Sequence, residues 1–378
     1  MNLSDLLANL FGELTFTWAN AVMLLVGGIL IYLAIAKEYE PVLLLPIGFG
    51  CILANLGMSV YAPESFLGVI YRAGIETDLF PLLIFIGVGA MIDFRPLLAQ
   101  PHLALLGAAG QFGIFGTLLL ATALGFPLNE AASIGVIGAI DGPTAIYVTA
   151  KLAPHLLGPV AVAAYSYMSL IPIIQPPIMR LLTTHRERRL RMDYAPRPVS
   201  RTTALLFPIL ITILVSLIAP AAAPLIAALM LGNLLREAGV VERLSKTAQN
   251  ELINIATLFL GLTIGATMTA EKFVYDPATG FQWQTLLVLM LGLLAFVVDT
   301  VAGLLFGKLM GWVTGGKINP LIGACGISAF PIAGRLSARV ALEEDPDNYL
   351  LMHAMGSNTA GQLGSVIAGG ILLAMVLA

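Results

Sequence analysis

The stretch Gly138-Ala139-Ile140-Asp141-Gly142-Pro143-Thr144 lies inside an apolar run over 130–153, and its reading decides the fold. Glycine and proline interrupt a helix and free nearby backbone carbonyls, and a carboxylate stands between them. An ionisable group in the middle of a membrane segment is costly unless it has a partner, so such residues are rare and mostly functional. A carboxylate among backbone and hydroxyl oxygens is a hard-cation site, suited to sodium or a proton. The competing reading of Asp141 is a structural carboxylate satisfied by a helix end.

The rest of the chain supports a membrane setting. Of its 378 residues only 11% are charged and 58% are hydrophobic, with a mean hydropathy of +0.92. A soluble domain carries about 25% charge. These values exclude an ordinary soluble enzyme and a disordered protein, and the net charge of −3 leaves no basic surface for nucleic acid. Apolar segments near 17–36, 41–59, 79–93, 102–125, 130–153, 157–182, 203–218, 221–236, 251–270, 284–311, 318–342 and 348–377 predict an all-α polytopic membrane protein with ten to twelve membrane segments. Cys51 and Cys325 sit in apolar runs and the four histidines are scattered, so no disulfide or transition-metal site is expected. The first sixteen residues lack a positive n-region and read as a short interfacial helix rather than a signal peptide.

The linker 185–201 (HRERRLRMDYAPRPVSR) holds six arginines and marks the cytoplasmic side. It is read either as a topology signal alone or as a dock for an acidic partner. The acidic run Glu343-Glu344-Asp345-Pro346-Asp347 is expected on the opposite, outer side. The linker divides the chain into an N-terminal half, 1–184, and a C-terminal half, 202–378, which echo each other. Each has a Gly-rich interruption, 138–144 in one and 323–331 in the other. Each is expected to close with a broken segment, through Gln175-Pro176-Pro177 and through Asn358-Thr359-Ala360-Gly361. Paired interrupted helices point to a transporter site built from two inverted repeats with discontinuous helices. Single crossings throughout would put Lys37, Arg95 and Lys151 on one side and the arginine linker on the other. One broken segment, 130–153 or 157–182, is therefore expected to dip in and return.

Further candidates lie around these breaks. Asn319, Ser328 and Asn358 offer neutral oxygens, and with one carboxylate they fit a monovalent ion better than calcium. The hydroxyls of Tyr165 and Tyr167 are candidates for ligation or proton relay, against a packing role. Arg335 follows Ser328 by two helical turns and is a candidate to bind an anion, pair with Asp141 or reach the interface. Asp299, in 284–311, is a secondary candidate between structural pairing and function. No Ser/His/Asp arrangement, phosphate loop or dinucleotide fingerprint is present.

The runs GAIDGPTAIYVTAKLAP (138–154), YSYMSLIPIIQPPIMRLLTT (165–184), NPLIGACGISAFPIAGR (319–335) and GSNTAGQLGSVIAGG (356–370) resemble the β subunit of sodium-translocating biotin-dependent decarboxylases, the oxaloacetate, methylmalonyl-CoA and glutaconyl-CoA enzymes. The likeness extends from 40–55 to the C-terminus. It implies an enzyme subunit that decarboxylates carboxybiotin, supplied by a separate biotin carrier subunit, and exports Na+ across a bacterial or archaeal cytoplasmic membrane while consuming a proton. It also implies a carboxyltransferase subunit, a small single-span membrane subunit, surrounding lipid and an oligomeric assembly. Carried over by resemblance, Asp141, Asn319, Gly323, Ser328 and Asn358 match positions implicated in sodium binding or coupling, with Tyr165 nearby. Tyr167 and Arg335 match residues implicated in ion or proton transfer and in function.

Two departures stand out. The chain is shorter than oxaloacetate-type β subunits, chiefly before Asp141, which favours an acyl-CoA-type system. Ile140 occupies a position where many relatives have a small residue. The residues alone fit equally well a stand-alone cation/proton antiporter or sodium–solute symporter, which needs the same repeats and the same carboxylate.

Overall fold

The computed structural model describes residues 16–377 apart from 63, 193–197 and 279; the expected interfacial helix at the start of the chain and Arg197 lie outside the described residues. Numbering only the principal helices, these are α1 (Trp18–Ala36), α2 (Pro41–Asn55), α3 (Leu79–Met91), α4 (Leu103–Ala109), α5 (Phe112–Ala123), α6 (Leu128–Gly135), α7 (Gly142–Leu152), α8 (Leu157–Leu182), α9 (Arg201–Ile218), α10 (Ala223–Ala238), α11 (Ile253–Ala266), α12 (Trp283–Val313), α13 (Ile332–Glu344) and α14 (Leu351–Leu377). The strands described are two dipeptides, Tyr275–Asp276 and Gly280–Phe281. This is an all-α polytopic membrane protein.

Among the described residues seven helices are long and apolar enough to cross a membrane, and the pair Phe66–Glu76 with Leu79–Met91 adds an eighth if it counts as one span. That is fewer than the ten to twelve segments expected. The excess came from counting one crossing per apolar run. The runs at 130–153 and 318–342 are split into short helices, while α2, α3 and α11 have 15, 13 and 14 residues. About 20 residues are needed to cross.

The chain forms two compact units, 1–77 with 257–286 and 78–256 with 287–378. In the first, α1 and α2 meet where Gly27 and Gly48 lack side chains, so each backbone lies against the other. The Asn55 amide donates to the carbonyls of Cys51 and Met268, both at 2.8 Å, and its oxygen accepts from the Ala270 N–H at 2.8 Å. The second unit holds every residue discussed below.

Two helical hairpins dominate that second unit. In the first, α6 runs through a 3-10 turn, Val136–Ala139, to a sharp reversal at Ile140 and Asp141, and α7 returns. Its two ends are tied, because the Asn129 amide donates to the Leu152 carbonyl at 2.9 Å. Of 130–153 and 157–182, it is therefore 130–153 that turns back on itself. By contrast α8 is unbroken over 26 residues, about 39 Å at 1.5 Å per residue, enough to cross.

The second hairpin descends as a 3-10 helix, Pro320–Gly326, reverses through 327–331 and returns as α13. Both of its ends are tied to the residues just after α8. The Asn319 amide donates to the carbonyls of Arg188 (3.0 Å) and Leu190 (2.8 Å), and Arg188 pairs with Glu344 at 2.7 Å. The first hairpin is thus based at the start of α8 and the second at its end. Their tips meet in between, where the Ser328 N–H donates to the Ala139 carbonyl at 3.3 Å.

Two expectations are corrected. The acidic run 343–347 does not lie across the molecule from the arginines but against them: Arg180 pairs with Glu343, His185 and Arg188 with Glu344, and Arg191 with Asp345 and Asp347. Among the described residues, Arg188 and Arg191 of the linker find their acidic partners in this chain's own loop. The late segments expected to be broken are also continuous helices. α8 contains Pro172, Pro176 and Pro177, and α14 runs through Asn358-Thr359-Ala360-Gly361 without a kink residue. Glycine here serves close packing, since the Gly361 backbone lies against Gly326 of the second hairpin.

Candidate functional site: two hairpin tips and one strut

The first tip is held in a demanding backbone shape. Ile140 adopts φ 51°, the left-handed region that β-branched residues seldom enter, and Asp141 is extended at φ −127°. Proline at the second position of α7 needs no N–H partner there, so the helix restarts at once. Asp141 is 6% exposed. Three side chains converge on its Oδ2: Thr144 Oγ1 donates at 2.6 Å, Gln362 Nε2 at 2.8 Å and Ser365 Oγ at 3.1 Å. None of these donors is charged, and no ion pair to Asp141 occurs among the described residues. A buried carboxylate held only by neutral dipoles has no counter-charge beside it, so a cation or a proton is what can balance it. The Tyr165 ring rests on Gly142, where any side chain would strike it.

The second tip solves the same backbone problem with amides. Its consecutive carbonyls are capped from α8, α14 and the residue before α5. Gln175 of α8 donates to Ala324 O at 2.8 Å, and Asn358 of α14 donates to Cys325 O at 3.2 Å and Ile327 O at 2.7 Å. Gln111, just before α5, donates to Gly326 O and Gly107 O, both at 3.1 Å. Because every partner is a carbonyl, each amide must present its NH2 end. The opposite ends, Gln111 Oε1, Gln175 Oε1 and Asn358 Oδ1, are buried without a hydrogen-bond partner. Buried oxygens of this kind call for an explanation, and a cation is one.

α14 ties the tips together. Asn358, Gly361, Gln362 and Ser365 follow at i, i+3, i+4 and i+7, so they share one face. The upper pair serves the second tip, with Ser328 Oγ donating to Gly361 O at 3.0 Å, and the lower pair holds Asp141.

The expected site residues divide accordingly. Asp141, Ser328, Asn358 and the Tyr165 ring gather around the crossing. Asn319 does not: its amide clamps the linker and its oxygen caps the 3-10 helix by accepting from the Leu321 N–H at 3.0 Å. Gly323 packs backbone to backbone on Gly303 of α12, so its role here is close approach. Tyr167 donates to the Leu289 carbonyl. Arg335 is exposed and makes no salt bridge with Asp141, whose donors are all neutral. Sequence reasoning missed Thr144, Gln362, Ser365 and Gln111 as partners. For Gln362 and Ser365 the signal was present, as polar residues at helical spacing after Asn358 in an otherwise apolar helix.

The amino-acid sequence matches known proteins. Residues 19–376 fit the family model described as the Na+-transporting oxaloacetate decarboxylase beta subunit. The chain is 53% identical to the methylmalonyl-CoA decarboxylase subunit beta of Veillonella parvula and 52% identical to the glutaconyl-CoA decarboxylase subunit beta of Acidaminococcus fermentans, in both cases over 97% of this chain and 95% of the relative. It is 48% identical to the oxaloacetate decarboxylase beta chain of Klebsiella pneumoniae, over 95% of each. With this likeness along nearly its whole length, the chain, whose two hairpin tips meet beside a buried carboxylate, belongs to the family of membrane β subunits of Na+-transporting decarboxylases.

Proposed function

We propose that this chain is the membrane subunit of a sodium-pumping decarboxylase and that Asp141 is its sodium-binding carboxylate. The observation that carries this reading is a buried Asp141 held by neutral donors only, together with three buried amide oxygens without partners on the side chains that cap the second hairpin tip. Sodium is the cargo. The charge of Asp141 draws it in, and Ser328, Asn358, Gln175 and Gln111 supply neutral oxygens, a donor set for a hard monovalent cation. With Oδ2 taken by three donors, Oδ1 is the oxygen that meets the ion. Protonation of Asp141 removes the charge and releases it. Family membership favours this over a stand-alone antiporter or symporter.

The carboxyl group arrives on biotin carried by a separate subunit, and its loss as CO2 supplies the free energy. Binding of that group shifts the population between a state open to the cytoplasm and one open outward, and transport needs a difference in sodium affinity between the two. The side bearing the arginine linker is cytoplasmic, and the two opposed hairpins correspond to inverted repeats. The partners are the biotin carrier, a carboxyltransferase and a small membrane subunit. The methylmalonyl-CoA relatives of Veillonella parvula and Propionigenium modestum and the glutaconyl-CoA relative align over 365, 381 and 365 positions, whereas the oxaloacetate chain of Klebsiella pneumoniae needs 421. An acyl-CoA substrate is therefore the better reading.

The test is reconstitution of the purified complex in liposomes, followed by sodium uptake with each candidate acid or acyl-CoA. Sodium accumulation that needs biotin and collapses in Asp141→Asn is expected. Sodium transport by this chain alone, without carrier or substrate, would favour the antiporter.

A further inference from the structure

The second unit contains another buried carboxylate that this scheme leaves unused. Asp299 stands near the middle of the 31-residue α12 and is 0% exposed. Its Oδ1 accepts from the Gly113 N–H, and its Oδ2 is buried with no hydrogen-bond partner. No ion pair to Asp299 occurs among the described residues. Two glycines make room for it. A side chain on Gly113 would collide with the carboxyl group, and one on Gly138 would stand 3.0 Å from Oδ2. Gly138 belongs to the 3-10 turn that leads into Asp141. Two turns earlier on the same face of α12, Gly292 receives the Tyr167 ring and Ile137, the residue before Gly138.

An ionised carboxylate with one backbone donor and no counter-charge is strongly disfavoured at this depth, whereas the neutral acid is tolerated. Sodium is a poor occupant. It needs several oxygens, whereas the hydrogen-bond partner Asp299 has is an N–H aimed at Oδ1. A proton needs only Oδ2.

We propose that Asp299 is a proton-holding, positioning residue: it carries a proton while Asp141 carries sodium, and its protonation state reaches Asp141 through Gly138 and the first hairpin tip. The step is an exchange with water. The carboxyl O–H breaks, the proton leaves as hydronium and the electron pair stays on Oδ2, drawing the Gly113 and Gly138 backbones toward the new charge. This rests on the reading of the chain as a sodium pump that exchanges sodium against a proton.

The test is Asp299→Asn in the reconstituted complex, since asparagine still accepts from the Gly113 N–H but holds no exchangeable acid proton. Turnover falls roughly 100-fold, the scale for losing a positioned proton-transfer group. Sodium stimulation persists, and the pH profile of the apparent sodium affinity loses one titration. A wild-type rate with an unchanged pH profile makes Asp299 merely an acceptor for Gly113 and overturns the proposal. If the variant does not assemble, infrared spectra of the wild-type complex with isotope-labelled aspartate in this chain decide. In saturating sodium at neutral pH, a carboxylic-acid C=O band that sodium does not remove is expected, and its absence overturns the proposal. A wild-type complex that pumps no sodium sinks the pump reading itself, whereas a wild-type-like Asp299→Asn in a working pump sinks only this inference.

Discussion

The two hairpin tips face the same difficulty, backbone polar groups stranded away from water, and they answer it with opposite electrostatics. The first tip keeps a carboxylate and surrounds it with hydroxyl and amide donors. The second carries no charge, and amides from α8, α14 and the residue before α5 cap its carbonyls. In the proposed scheme the first tip supplies the charge that attracts a cation, while the second, its amide donors used on carbonyls, supplies oxygens. A monovalent cation needs both, one charge for attraction and several neutral oxygens to replace water. The two different tips are brought together at the Ser328–Ala139 bond.

The largest effect expected is from Asp141→Asn, which makes the first tip as neutral as the second. Apparent sodium affinity should fall by at least ~100-fold, in keeping with the roughly 3–5 kcal/mol lost when a buried charge interaction is broken. A sodium titration of carboxybiotin decarboxylation checks it, and full sodium stimulation in the variant rejects the assignment. Asn358→Ala should come next, because it strips the caps from Cys325 O and Ile327 O and removes one free oxygen. A loss of about 1–3 kcal/mol for each uncapped carbonyl is expected, read as a lower Tm together with weaker sodium binding. Gln175→Leu uncaps one carbonyl, so its Tm should fall about half as far; an equal drop would show that the second tip is not held carbonyl by carbonyl.

Ser328→Ala sharpens the comparison further. It removes a hydroxyl bond to Gly361 O but leaves the backbone bond to Ala139, so a loss of about 1 kcal/mol, roughly fivefold in apparent sodium affinity, is expected. An unchanged titration curve would count against Ser328 as a ligand. The smallest effect lies at the base of the second hairpin. The hydrogen bond from the Arg191 guanidinium holds the Asp345 carboxyl below the usual carboxylate range. A depressed folded-state value stabilises the docked linker above the ordinary carboxylate pKa of about 3.9, and that contribution is lost as pH falls further through the folded value. At this exposed site the effect is slight. Limited proteolysis within 185–201 should become faster only in acid, and faster cleavage at neutral pH in Arg191→Ala would show the pair to be worth more than surface screening allows.

Much of this was legible in the chain. Hydropathy alone gave the helices, because lipid leaves the backbone few alternatives. Gly138–Thr144 and 323–331 announced breaks through glycine and proline, and Asp141 announced a site through the cost of placing it there. The linker's partner was not legible. Arg188 and Glu344 are 156 residues apart, and a charge run looks the same whether it meets solvent, lipid or its own chain. The prolines of α8 and the glycines of α14 misled for a related reason. Local propensity marks them as breakers, but neighbouring helices decide whether the backbone bends.

The sequence by itself determined that this is a membrane protein with a carboxylate placed in an interrupted helix, because composition and turn chemistry act locally. Only the tertiary structure decided which segment turns back, which neutral side chains hold Asp141, and that Asn319 belongs to the linker rather than to the crossing. Those outcomes depend on α14 presenting Gln362 and Ser365 to a residue more than two hundred positions away, and such a pairing follows from packing rather than from local residue preference.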